Sequence, residues 1–389
     1  MKIWLMKLID YYIGLPLCWI INLYDYLFNP GNSNRLPDKS RVKRILIIKC
    51  WGMGSIALAL PMVKMIKEYY PDACLEFLTF SRNKELLEIS KLVDSIIEFQ
   101  IDKKRQIIPV LFRLILYLQR QRFDISFNLE FLANFSLLLA YISRIPIRVG
   151  FKHFGLNKDR LLTHEVVFRE YQHIKQNFLN LLKPLEIPLA NPCSMNLIPS
   201  LMSINRVDSF ITDGFESNNS PLICVNVNAG ELAMERRWPK ENFILLLNEL
   251  LNKYPFRIVL IGAAQDVNYV NEVLMMLPQT VLNLAGKLNI EELIALLSRC
   301  NLLISNDSGP LHLASLVDIP TVSFFGPETP FLYGPIGNKN KVFFNEVPCS
   351  PCIRVRDMKR VRCDKGLICL RSISPQEVSE YIMEQFPSQ

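Results

Sequence analysis

The sequence predicts an α/β protein of two doubly wound domains, and three observations carry that expectation. Half of its 389 residues are apolar, the proportion expected when parallel strands are covered on both faces. Short apolar runs alternate with segments of helical periodicity, the signature of successive strand–helix–strand units. The alternation lapses once, from Leu182 to Ser200, in a stretch with four prolines, and then resumes. A chain of this length is comfortable as two domains, each large enough to bury a core.

In the first domain the apolar runs Ile45–Lys49, Leu75–Thr79, Ser95–Phe99 and Ile125–Asn128 read as strands. Helical spacing over Ala57–Tyr70, Lys84–Ile89 and Ile107–Arg120 places helices between them. The second set starts at Pro221, with strands at Ile223–Val227, Ile258–Ile261 and Leu302–Ser305, and a last helix over Ser374–Phe386. The resulting division is a hydrophobic segment 1–40, a first domain 41–183, a linker 184–200, a second domain 201–370 and a C-terminal helix 371–389.

Residues 1–28 contain WLMKLIDYYIGLPLCWIINLYDYLF, whose longest uncharged run, Tyr11–Tyr24, is 14 residues and holds Gly14 and Pro16. A bilayer-spanning helix needs about 20 residues, so contact with a membrane surface is expected in place of a span. Trp4, Tyr11, Tyr12, Trp19, Tyr24 and Tyr26 suit the headgroup region. Arg35, Lys39, Arg41, Lys43 and Arg44 follow directly. The alternative is a helix packed on the first domain. No small-residue cleavage site follows the apolar part, which argues against a signal peptide. The net charge of +7 is modest, and no nucleic-acid-binding motif accompanies it.

The polar residues with chemical potential gather at strand ends. Leu302–Ser305 runs into Asn306-Asp307-Ser308-Gly309 and then a helix bearing His312. The free N–H groups of such a helix start suit an anion, and Gly309 admits a close ligand. Asp307 and Ser308 serve equally well as simple helix caps. Upstream, Ile223–Val227 leads into Asn228 and then Arg236-Arg237-Trp238-Pro239. Adjacent guanidinium groups fit phosphate oxygens through charge-assisted bonds. Ile258–Ile261 ends in Gly262-Ala263-Ala264-Gln265-Asp266, where a carboxylate can take ribose hydroxyls. No Asp-x-Asp of the kind that holds a divalent cation against a sugar diphosphate is present.

Six of the ten cysteines (Cys18, Cys50, Cys74, Cys193, Cys224, Cys300) lie in apolar stretches and read as small hydrophobes in place of a disulfide framework. Cys349, Cys352, Cys363 and Cys369 are grouped with a spacing that a structural zinc or iron–sulfur cluster could use, with reduced thiols as the alternative. No cofactor is otherwise required.

Five segments in order, RILIIKCWGMGSIALALP (Arg44–Pro61), NVNAGELAMERRWP (Asn226–Pro239), SNDSGPLHLA (Ser305–Ala314), FFGPETP (Phe324–Pro330) and CSPC (Cys349–Cys352), resemble glycosyltransferase family 9, the bacterial heptosyltransferases of lipopolysaccharide assembly. The resemblance implies the GT-B fold, two Rossmann-like domains facing across a cleft, with the nucleotide on the second and the acceptor on the first. It implies a nucleotide-diphosphate sugar donor, ADP-heptose by analogy, and a lipopolysaccharide or other cell-surface glycan acceptor. An inverting, metal-independent transfer at the inner face of the bacterial cytoplasmic membrane follows from the same likeness. By position, Arg236 and Arg237 resemble the family's phosphate-binding basic residues, Asp266 its ribose-binding acid, and Asn228 with Asn306, Asp307, Ser308, Gly309 and His312 its nucleotide-binding turns. The last helix is expected to fold back across the cleft.

Gly52, Met53 and Gly54 resemble the family's acceptor-side loop, where the usual Gly-Asp carries the catalytic base; here it is Gly54-Ser55. A serine hydroxyl does not accept a proton near neutral pH without a base of its own. Glu130, delivered by the strand Ile125–Asn128, is the candidate replacement, and capping the helix that follows is its simpler role. His153, His164 and His173 are other imidazoles in the useful range. Two further readings compete: a catalytically degenerate, nucleotide-sugar-binding scaffold, and a dinucleotide-dependent oxidoreductase. The second is weak, because GMGS has two glycines and no G-x-G-x-x-G is present.

Overall fold

A computed structural model of the chain describes residues 10–28, 36–99, 107–131, 133–152, 161–189, 195–216, 220–230, 234–354 and 363–386. The chain divides into two units, Met1–Cys193 and Ser194–Gln389.

In the first unit the strands are β1 (Arg44–Ile48), β2 (Cys74–Phe80), β3 (Ser95–Phe99), β4 (Ile125–Asn128), β5 (Ile147–Lys152) and β6 (His164–Val167). All pair in parallel, in the order β3-β2-β1-β4-β5-β6. The helices are α1 (Leu15–Phe28), α2 (Met53–Tyr69), α3 (Lys84–Ser90), α4 (Ile107–Gln121), α5 (Asn134–Ile142) and α6 (Ile174–Asn180). The order reverses between β1 and β4, so the chain departs to opposite sides there. That switch point is where open α/β sheets leave a crevice at the carboxyl ends of their strands.

The second unit repeats the topology. Its strands are β7 (Leu222–Asn226), β8 (Arg257–Ile261), β9 (Leu282–Asn283), β10 (Leu302–Asn306), β11 (Thr321–Phe325) and β12 (Asn340–Phe344). They run parallel in the order β12-β11-β10-β7-β8-β9, with the switch between β7 and β10. Helices α7 (Leu201–Gly214), α8 (Lys240–Lys253), α9 (Val267–Leu274), α10 (Ile290–Arg299), α11 (Gly309–Ala314), α12 (Pro330–Tyr333), α13 (Ile368–Arg371) and α14 (Pro375–Gln385) complete it. Every residue of β7, β10 and β11 is buried, which is why these strands are predominantly apolar.

Trp238 is the pivot of the second core. It is fully buried, stacks on Phe324 at 4.2 Å, meets Phe243 edge-on at 5.0 Å, and donates its indole N–H to Ile373 O at 3.3 Å. The two arginines immediately precede it in the chain, so packing of the indole fixes where the guanidinium groups emerge. Trp238→Ala is expected to destabilise the second unit by about 3–5 kcal/mol, read as a lower urea midpoint with unchanged slope.

The C-terminal helix belongs to the second core. In α14, Val378 and Ile382 are fully buried within the core of the second unit, beside Trp238 and Phe243. The segment 184–200 is likewise well packed at both ends: Leu185 and Ile187 are buried, and Leu197 N–H donates to Leu316 O at 2.9 Å.

Helix α1 is docked on the first unit by one side. The preceding turn, Asp10–Gly14, supplies a carboxylate that accepts from the backbone N–H groups of Asn134 at 2.9 Å and Phe135 at 2.7 Å. These are the first residues of α5, whose own cap position, Ala133, has no side chain for the task. Cys18 then packs against Leu137, Leu138, Leu161 and Leu162. No described helix is long and apolar enough to cross a membrane.

Candidate active site

The second unit brings most of its singled-out residues together at the switch between β7 and β10. Arg236 Nη1 donates to Asp307 Oδ2 at 3.0 Å, joining the segment after β7 to the turn after β10. Both are largely buried, with side chains 16% and 3% exposed. Burial works against the guanidinium charge, but Asp307, then Glu328 and Tyr333, more than offset it and raise the Arg236 pKa. Asn306 Oδ1 accepts from Trp238 N–H at 2.8 Å, and Asn306 Nδ2 donates to Asn228 O at 3.2 Å.

Ser308 occupies the N-cap of α11 without a side-chain capping bond. Its hydroxyl is drawn instead to Asn226 Nδ2 at 2.8 Å and Ser305 Oγ at 3.0 Å, which leaves the backbone donors of the turn to other partners. Gly309 opens that helix, and His312 is buried within it.

Arg237 turns the other way. Its Nη2 lies 3.5 Å from Asp266 Oδ1, and the guanidinium sits over the Tyr269 ring at 4.3 Å. Asp266 also caps the turn before it, accepting from Ala263 N–H at 3.1 Å. The two arginines therefore each hold a carboxylate. Two polar atoms stay open in this patch among the described residues: Asn228 Oδ1 and Arg237 Nε are buried without a hydrogen-bond partner. Buried orphans of this kind are costly unless a ligand or water meets them.

In the first unit the corresponding turn follows β1. Gly52 takes φ +80° and precedes α2, in whose first turn Met53, Gly54 and Ser55 lie. Glu130 closes on this turn from the end of β4. Its Oε1 accepts from the N–H groups of Cys50 at 2.7 Å and Trp51 at 2.9 Å. Its Oε2 receives Lys49 Nζ at 3.1 Å, and Lys49 Nζ also donates to Trp51 O at 2.7 Å. Both side chains are nearly excluded from solvent, at 6% and 3%. Both oxygens of the candidate base are thus engaged with this turn, and the first N–H groups of α5 go to Asp10.

The histidines have local duties. His164 is buried at the start of β6 with Nδ1 2.9 Å from Thr163 Oγ1, and burial lowers its pKa. His173 caps α6, its Nδ1 accepting from Lys175 N–H at 3.2 Å. His153 and Cys193 lie outside the described residues.

Cys349, Cys352, Cys363 and Cys369 are free thiols at different depths, Cys349 exposed and Cys369 buried. Burial pushes the Cys369 thiol up to about 11. Among the described residues no group of three or more His, Cys, Asp or Glu is arranged to hold an ion, so the expected zinc or iron–sulfur cluster finds no support. Cys369 has a packing role: a Cβ on Gly326 would sit 2.8 Å from its sulfur.

Sequence reasoning missed three residues. Asn226 anchors Ser308, Lys49 partners Glu130, and Glu328, 2% exposed, bears electrostatically on Arg236. A lysine ending an apolar strand was the available signal for Lys49, since lysine is almost never buried unless paired.

Two doubly wound sheets, each with polar side chains at its switch point, define the class of α/β proteins that take ligands at their strand ends. The sequence pattern of glycosyltransferase family 9 (heptosyltransferase) matches residues 111–361, and the chain belongs to that family. It is a glycosyltransferase. Among its relatives is lipopolysaccharide heptosyltransferase 2 of Salmonella typhimurium, 26% identical over 316 residues, covering 77% of this chain and 87% of the relative. A glycosyltransferase family 9 structure from Veillonella parvula superposes with TM-score 0.75 at 23% identity, covering 91% of this chain and 99% of the other. The E. coli ADP-heptose lps heptosyltransferase II structure gives TM-score 0.67 at 22% identity, covering 88% and 98%. These neighbours are of the GT-B type. Nothing in the comparisons favours the degenerate scaffold or the oxidoreductase.

Proposed function

We propose that the protein transfers heptose from ADP-heptose to a lipopolysaccharide core acceptor, with inversion at the anomeric carbon. The observation that carries the reading is the Arg236–Asp307 contact, which closes the two polar turns of the second unit over one patch. The names of the relatives supply the donor and the acceptor class.

In this reading an acceptor hydroxyl oxygen bonds to the anomeric carbon as the bond to the diphosphate oxygen breaks, ADP departs with that electron pair, and the hydroxyl proton is released to solvent. Arg236, Arg237 and the backbone donors of the Asn306–Leu311 turn meet the departing charge. Asp266 and Asn228 Oδ1 take ribose hydroxyls or the base. No metal or cofactor enters the scheme. In the first unit Glu130 acts through Lys49 and the backbone of Cys50 and Trp51, holding the Gly52–Ser55 turn that faces the acceptor. Contact of residues 1–28 with the inner face of the cytoplasmic membrane gives access to a lipid-borne acceptor.

The test is donor selectivity. Purified protein supplied with ADP-heptose and heptose-deficient lipopolysaccharide is expected to release ADP in step with acceptor, whereas UDP- and GDP-sugars release nothing. Equal turnover of a UDP-sugar, or no release from any donor, overturns the assignment.

A further inference from the structure

The exposed large apolar side chains of the described chain are densest between Tyr11 and Phe28. Only a narrow strip of this segment is used internally: Gly14 and Cys18 are buried, and Ile21 packs beside Cys18 against α5. These positions recur at one-turn spacing on a single face of the helix. The remaining arc, with Ile13, Trp19, Ile20, Leu23, Tyr24 and Leu27, faces outward and is more than a third exposed at every one of them.

The width of that arc selects its occupant. A partner helix seals a narrow seam of two positions in seven, which would leave most of this arc wet. A lipid interface covers a broad apolar face along its whole length. The mixture of indole, phenol and aliphatic groups fits the boundary between headgroups and acyl chains. Exposed Lys39, Arg41 and Lys43, with Asp38 the one acid among them, follow in the chain and are complementary to anionic headgroups. Asp10 makes the arrangement rigid, because its bonds to Asn134 and Phe135 fasten the start of the segment to α5.

We propose that the outer face of α1 is a docking plate that lies flat on an anionic bilayer and orients the first unit upon it. The plate begins beside the acceptor-side turn: α5, which Asp10 fastens, follows the end of β4 that carries Glu130. The inference deepens the reading of a lipid-borne acceptor and rests on that reading for its purpose, while the docking itself is measured without donor or acceptor.

Full-length protein is sedimented with vesicles of phosphatidylcholine alone and of phosphatidylcholine mixed with phosphatidylglycerol. Binding is expected to the mixed vesicles, weaker to the neutral ones and weakened by salt. The Trp19→Glu, Leu23→Glu double variant is expected to lose about tenfold or more in partitioning, with an unchanged thermal melt, because both side chains are exposed. Absence of binding to either vesicle, or equal binding by the variant, overturns the proposal. So does a dimer in light scattering that the double variant dissolves, which would assign the face to a second copy of the chain. Vesicle binding with no ADP release would instead spare the plate and sink the transfer reaction.

Discussion

Arg236→Met is expected to weaken nucleoside diphosphate binding by about 2 kcal/mol or more, roughly thirtyfold, the order of losing a charge-assisted bond in a desolvated site. Methionine keeps the apolar stem and removes only the charged fork. The substitution has a second consequence, because Asp307 loses its ion-pair partner at a side-chain exposure of 3%. Removing one member of a buried pair costs about 3–5 kcal/mol of stability. The two effects separate in the Arg236→Met, Asp307→Asn double variant, which no longer holds an uncompensated carboxylate. It is expected to regain most of the stability and none of the affinity. Calorimetric titration with ADP alongside urea unfolding reads both quantities. Unchanged ADP affinity in the single variant would remove Arg236 from the nucleotide site.

The fold was legible because its central strands are buried on both faces. Runs such as Arg44–Ile48 and Leu302–Asn306 carry that burial in their composition. The edges were harder. Edge strand β6 has four residues and edge strand β9 two, with little sequence to show for the pairing they make. The site was legible as positions and opaque as bonds. Nothing local in the sequence says that Arg236 meets Asp307 across 71 residues, or that Asp10 caps a helix more than a hundred residues away. Local pattern reports which face a side chain takes; the partner is decided by the stacking of strand ends, which only the sheet order supplies.

Glu130 puts that distinction to the test, since its position at a strand end suits a base and its bonds suit a clamp. Glu130→Ala is expected to destabilise the first unit by about 3–5 kcal/mol, because Lys49 would remain charged and buried with no counter-charge and two backbone N–H groups would lose their acceptor. Glu130→Gln is the informative variant. The amide oxygen can still accept from Cys50 and Trp51, while the charge opposite Lys49 is gone. A clamp predicts lowered stability with a turnover number within about tenfold of the parent, and recovery of stability when Lys49→Met is added. A general base predicts the opposite pattern, a loss of about 10²- to 10⁴-fold in turnover with stability little changed. Single-turnover rates and urea midpoints on the three variants decide between them. Loss of turnover without loss of stability in Glu130→Gln would return the acceptor proton to this carboxylate.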